Sequence, residues 1–358
     1  MDSPKGILIV KTSAIGDVIQ TFPVLQYLRR RFPNAQIDWV AEKGIVPLLR
    51  AHPEISKVIP IDTKTWRKNP FSRETREAFS AFKENMRLTT YDVLFDLQGN
   101  SKSAVVTHTA HAHVKVGFDR SCVKESINLL ATRKRFSVPL EINVRERYLR
   151  LVQQYFEDQE TFAFQGVKLQ LNAEEQTRLH SFALSSGPTL MVCFGSKWEN
   201  KKLPESAWLG VLKSARDSFG ASFLFIYGDE GEKLTAAALS SHFPDCSQCV
   251  GELTLPLWQA LMWQVDAVLA VDSAALHLCG TTLTPSFSAF GPSLAHIYKP
   301  TEERHGVFQG SCPYNVSFAT RCPKLRTCQT GSCLRDVDRA ALSAAFQEWV
   351  ARILIPVN

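Results

Sequence analysis

The 358-residue chain has no apolar run near the roughly 18 to 20 residues that a membrane-spanning helix needs. Neither an apolar h-region nor a small-residue cleavage site follows "MDSPKG", so no secretory leader is read and the cytoplasm is the expected compartment. The pattern G-x-G-x-x-G is absent, which speaks against a dinucleotide-binding dehydrogenase. So is G-x-x-x-x-G-K-[ST], which speaks against a P-loop NTPase. H-E-x-x-H and G-x-S-x-G are missing too, removing the commonest zincin and α/β-hydrolase readings.

What is present is an ordinary globular balance, 45% hydrophobic and 21% charged, in a length that suits about two domains. The net charge of +6 is unevenly placed. Residues 1–180 hold 27 Lys and Arg against 20 Asp and Glu, whereas residues 181–358 hold 14 against 15. The excess gathers at Arg29 to Arg31, Lys64 to Arg76 and Arg133 to Arg135. Such clusters are either solvated helix ends or a face for an anionic partner: nucleic acid, a phosphorylated substrate or a membrane surface. No nucleic acid is expected, because the interleaved aromatics of a single-strand platform are missing.

Five of the nine cysteines, Cys122, Cys193, Cys246, Cys249 and Cys279, adjoin apolar segments and read mostly as core residues. Cys312, Cys322, Cys328 and Cys333 follow one another at spacings of ten, six and five. That is not the paired C-x-x-C pattern of a strong zinc site, so free thiols packing a loop are expected.

Short strand-like runs alternate with helical periodicity twice along the chain. Strands are predicted at 6–10, 36–41, 57–61, 91–97 and 114–118, with helices near 17–31, 45–51, 74–88 and 101–110. A second set at 189–195, 222–228, 246–250, 267–271 and 285–290 alternates with helices near 205–218, 231–241, 255–264 and 273–280. Strands apolar on both faces suit parallel sheets covered by helices. The pattern predicts an α/β chain of two Rossmann-like, doubly wound domains, residues 1–175 and 185–335, whose loops share a central cleft. Between them, "LNAEEQTRLHSFALSSGP" reads as a polar helix and a Ser-Ser-Gly-Pro turn. Residues 336–358 hold an amphipathic helix, expected to pack back across the domains. Pro23 should kink the first helix or delay its start.

Four places carry residues suited to chemistry. In "KTSAIGDVIQ", Gly16 permits a tight turn and Asp17 stands near a helix N-terminus, which favours negative charge. Asp17 is therefore either an N-cap or a general base. In "FGSKWENKKLPESAW", Lys197, Lys201 and Lys202 are solvated loop lysines or phosphate contacts. In "AVLAVDSAALHLCG", Asp272 and Ser273 open a helix whose small first-turn residues suit a diphosphate, with His277 one turn in. In "FIYGDEGEK", Asp229, Glu230 and Glu232 follow a strand where such folds often hold a ribose, or simply start a helix. Together they describe a nucleotide-diphosphate site in the second domain and a base in the first.

The stretches "ILIVKTSAIGDV", "IDWVAEKG", "VIPI" followed by "WRK", "YDVLFDLQGNSKSA", "KKLPESAW", "YGDEGEK" and "VDSAALHL" resemble the ADP-heptose:lipopolysaccharide heptosyltransferases. These are inverting glycosyltransferases of family 9 with the two-domain GT-B fold, and the resemblance is closest to the heptosyltransferase I branch. It implies transfer of heptose from ADP-L-glycero-D-manno-heptose to Kdo-lipid A on the inner leaflet, by a cytoplasmic enzyme peripheral to the membrane, with no metal or other cofactor. Asp17 then falls on the catalytic base, and Thr12, Ser13 and Gly16 line the reaction centre. Lys201, Glu232, Asp272, Ser273, Ala274 and His277 fall on donor-binding positions. Arg67 and Lys68 of the "WRK" loop are implied in acceptor binding, and charge placement adds Arg120 and Lys124. Ala274 stands where the family usually has glycine. The cysteine-bearing tail looks more like other branches, so heptosyltransferase II or III remains an alternative. A nucleotide-sugar epimerase or a non-catalytic binder on the same fold are others.

Overall fold

A computed structural model describes residues 3–182 and 187–354. Contacts divide the chain into two compact units, Met1–Phe164 and Gln165–Asn358. The division falls ahead of the edge expected at residue 175, because the intervening segment packs on the second unit. Gln259 accepts from Leu169 N at 3.0 Å and donates to Val167 O at 2.9 Å. The polar helix is present as Ala173–Ser181, closed by an Asn172–Glu175 capping box. The Ser-Ser part of the turn expected after it lies outside the described residues.

The first unit is built on six parallel strands in the order β3-β2-β1-β4-β5-β6. They are β1 Gly6–Val10, β2 Gln36–Glu42, β3 Lys57–Ile61, β4 Thr90–Asp96, β5 His111–Phe118 and β6 Lys134–Phe136. Ile7, Leu8, Ile9 and Val10 of β1 are wholly buried, since helices cover both faces. The second unit repeats the plan with β7 Thr189–Cys193, β8 Ser222–Tyr227, β9 Ser247–Gly251, β10 Ala267–Val271, β11 Ser286–Phe290 and β12 His305–Gln309. Its order is β12-β11-β10-β7-β8-β9. In both sheets the order reverses beside the first strand, between β1 and β4 and between β7 and β10. Ligands of open α/β sheets bind at such switch points, outside the strand C-termini.

Differences from expectation have local causes. The predicted helix 17–31 is two helices, Ile15–Ile19 and Phe22–Arg31, split where Pro23 lacks the N–H a continuous helix needs. Thr21 Oγ1 donates to Asp17 O at 2.9 Å across the break. Two of the four edge strands, β6 ("KRF") and β12 ("HGVFQ"), carry too little apolar periodicity to be read. The closing helix, Arg339–Ile353, places Leu342, Phe346, Trp349 and Val350 in the core of the second unit, against helix Glu205–Phe219 and β12. Of the five cysteines read as core, Cys249 is exposed and Cys246 only half-buried.

Candidate active site

In the first unit the loop after β1 is fixed from β4. Asp96, at the end of β4, accepts from Gln98 N at 3.0 Å and Gly99 N at 2.9 Å with one oxygen. Its other oxygen accepts from Thr107 Oγ1 and Asn128 Nδ2. Gln98, so held, accepts from Thr12 N at 3.1 Å and Ser13 N at 3.2 Å. Lys11 is buried and donates to Tyr148 Oη at 2.6 Å and Leu97 O at 3.1 Å. This backbone leads into helix Ile15–Ile19, whose N-cap is Ala14 with no side-chain cap. Asp17 is its third residue and half-buried, so it is not the N-cap. The Thr12 hydroxyl is buried without a hydrogen-bond partner among the described residues.

The loops after the neighbouring strands gather at the same edge. Glu42, at the end of β2, donates its backbone N–H to Thr12 O, and its carboxylate accepts from Thr63 N at 3.2 Å and from Thr63 Oγ1. That anchors helix Thr63–Lys68, which carries Arg67 and Lys68 exposed in its last turn. Arg120 and Lys124 are exposed on the loop after β5. Glu125 N reaches Gly99 O at 3.0 Å, tying that loop to the one bearing Gln98.

In the second unit the ends of β7 and β10 bring a buried ion pair together. Lys201, in the 3-10 turn Glu199–Lys201, donates to Asp272 Oδ2. The two residues are 7% and 5% exposed. Ser293 Oγ donates to the same carboxylate oxygen, and His277 Nε2 stands 3.7 Å from the other. Burial pushes the Asp272 pKa up, but the Lys201 charge, His277 and the hydrogen bonds from Lys201 and Ser293 outweigh it, leaving it lowered. Ser273 is the N-cap of helix Ala274–Cys279 yet makes no side-chain cap, and its hydroxyl is buried without a partner among the described residues.

Glu232 is placed from β8. Asp229 caps helix Glu230–Ser240 by accepting from Glu232 N at 2.8 Å, and the Glu232 carboxylate turns back to accept from Gly228 N at 2.8 Å. It lies over Gly195, the second residue beyond β7. A Cβ there would sit 2.1 Å from Glu232 Oε1, so glycine is required for the approach. Lys197 is exposed, and Lys202 pairs with Glu199 at 2.5 Å. Among the described residues no group of three or more His, Cys, Asp or Glu is arranged to hold a metal ion.

The glycosyltransferase family 9 (heptosyltransferase) model matches residues 79–325, more than half of the chain. The chain belongs to that family. Lipopolysaccharide heptosyltransferase 1 of Pseudomonas aeruginosa is 28% identical over 289 residues, 80% of this chain and 79% of that protein. The heptosyltransferase 1 of Escherichia coli K12 is 27% identical over 289 residues, 80% of this chain and 88% of that protein. The solved E. coli heptosyltransferase WaaC with ADP matches 96% of this chain and 99% of its own, at TM-score 0.77 and 23% identity. That likeness shows the GT-B fold.

In this family 9 glycosyltransferase the structure gathers Lys201, Asp272, Ser273 and His277 at the β7–β10 switch point, with Glu232 at the end of β8. It places Thr12, Ser13, Gly16 and Asp17 at the β1–β4 switch point. Two residues escaped the sequence reading, Gln98 and Ser293. Gln98 lies inside the quoted "YDVLFDLQGN", where a polar residue directly after a buried strand was the available signal. Ser293 follows β11 in "FGPSLAH" and carried no such signal. Among the described residues no helix is long and apolar enough to cross a membrane.

Proposed function

We propose that this glycosyltransferase moves heptose from ADP-L-glycero-D-manno-heptose to the Kdo of Kdo-lipid A, with inversion at the anomeric carbon. The observation that carries the reading is the Lys201–Asp272–Ser293 cluster at the β7–β10 switch point. An ammonium has three donors and the contact with Asp272 occupies one, so Lys201 has others for a diphosphate. The unpartnered Ser273 hydroxyl is a further donor beside it. Glu232, over Gly195, is the acceptor for a ribose diol. The relatives named heptosyltransferase 1 support heptose and the first core step, and the ADP bound in WaaC supports the nucleotide.

Asp17 takes the proton of the acceptor hydroxyl as that oxygen attacks the anomeric carbon, and ADP departs from the opposite face. Its position in a helix first turn favours the ionised carboxylate and weakens it as a base. Proton transfer therefore comes late, once the attacking oxygen has become acidic. Lys201 and the Ser273 region stabilise the charge that grows on the leaving diphosphate. Exposed Arg67, Lys68, Arg120 and Lys124 hold the polyanionic acceptor and bring the enzyme to the membrane surface.

The test is incubation of the full chain and of Asp17→Asn with ADP-heptose and Kdo-lipid A. The wild type should form heptosylated product, and the variant should lose about 10²–10⁴-fold in kcat at unchanged ADP affinity. Equal rates would remove Asp17 as the base. No wild-type product on Kdo-lipid A, but product on an already heptosylated core, would move the enzyme to a later step.

A further inference from the structure

The segment between β12 and the closing helix carries four cysteines, and all four line a cavity of about 290 Å3 together with Asn200, Pro292 and Leu294. The segment touches two loops that matter to the ion pair. On one side it forms an antiparallel bridge between Arg321 and Ser293. Leu294 N donates to Thr320 O at 3.0 Å and Cys322 N to Pro292 O at 2.8 Å. On the other side Asn200 Nδ2 donates to Leu325 O at 2.8 Å. Gly331, at φ +60°, lies so close that a Cβ on it would stand 3.1 Å from Asn200 Cα. A further hydrogen bond, Leu325 N to Cys322 O at 3.0 Å, joins the two sides.

Ser293 and Asn200 are the points of grip, and both adjoin the cluster. Ser293 donates to Asp272, and Asn200 precedes Lys201, which donates to the same oxygen. Asn200 is 7% exposed and its Oδ1 is buried without a partner among the described residues, which leaves its amide tied to them through Nδ2. A buried side chain held by one hydrogen bond to a distant backbone, next to a charged residue in a three-residue turn, sets where that residue points.

We propose that Asn200 is a positioning residue, and that residues 320–331 are a clasp holding Lys201 and Ser293 together on Asp272 in the geometry that receives a diphosphate. The proposal rests on the reading of Lys201 as a diphosphate contact. It adds a function for the cysteine-bearing segment, which links the loops after β7 and β11 and so controls donor affinity from outside the site.

Calorimetric titration of the full chain with ADP and with adenosine tests it, because only ADP carries the diphosphate. For Asn200→Ala and Gly331→Ala, ADP affinity should fall about ten-fold and adenosine affinity less than about two-fold. Lys324→Ala, an exposed residue of the same segment, should leave both unchanged. If Asn200→Ala does not fold, Asn200→Ser carries the same comparison. ADP affinity within about two-fold of wild type in folded variants overturns the proposal, as does an equal loss for ADP and adenosine, which marks a general structural defect. A wild type that binds ADP no better than adenosine overturns the diphosphate reading itself, and is distinguishable because it appears before any substitution.

Discussion

Replacing Lys201 with methionine keeps the length of the side chain and removes its charge. Asp272, 5% exposed, then keeps only Ser293 and a His277 nitrogen 3.7 Å away. Removing one partner of a buried pair leaves an uncompensated charge and costs about 3–5 kcal/mol. For a unit of this size that is a fall of about 6–20 °C in the melting temperature of the second unit. The pH dependence identifies the cause. In the wild type the Asp272 pKa is lowered, so its contribution is present above the ordinary carboxylate value and is lost as pH falls through the lowered one. Without the ammonium, burial dominates and raises the pKa, so the variant loses stability as pH rises through that raised value. The gap between the two proteins should therefore be widest at about pH 7 and narrow at about pH 4.5. Scanning calorimetry at both values reads it. Lys201→Met with Asp272→Asn should recover most of the loss, since a neutral pair strands no charge. A cost below about 1 kcal/mol, or a gap that ignores pH, would refute the argument.

Three further outcomes follow from named contacts. Gln98→Ala strands the Thr12 and Ser13 N–H groups at roughly 1–3 kcal/mol each, and should lower kcat while donor affinity holds. Gly195→Ala should displace the Glu232 carboxylate and weaken ADP binding, measured by titration, with no added effect in a Glu232→Ala background. Arg67→Gln with Lys68→Gln should raise KM for Kdo-lipid A at low salt, with the difference shrinking as ionic strength rises, because both groups are exposed.

Nearly all the buried strands were legible, because β1, β7, β8 and β10 are short apolar runs bounded by turns, and burial on both faces leaves no polar alternation to obscure them. Of the four edge strands, β3 and β9 were read and β6 and β12 were not, since "KRF" and "HGVFQ" hold no apolar run to read. Helix Val144–Tyr155 was missed too, although Tyr148 supplies the hydroxyl that holds Lys11. Pro23 was read correctly as an interruption because its effect is local.

Sequence alone determined the doubly wound class and the loops that hold polar residues at strand ends, with Asp17, the lysines Lys197, Lys201 and Lys202, and Asp272 as the groups to examine; the family resemblance singled out Lys201 among the three. These follow from short-range causes: periodicity of two or 3.6, turn chemistry, and the direction in which a strand delivers its last residue. Tertiary structure decided what those groups do to one another. Lys201 and Asp272 are 71 positions apart, and their pairing depends on β7 lying beside β10. Strand order likewise set Gln98 against the Thr12 loop and Ser293 against Asp272. Which strands become neighbours is settled by the packing of the whole sheet, so no local pattern in the chain records it.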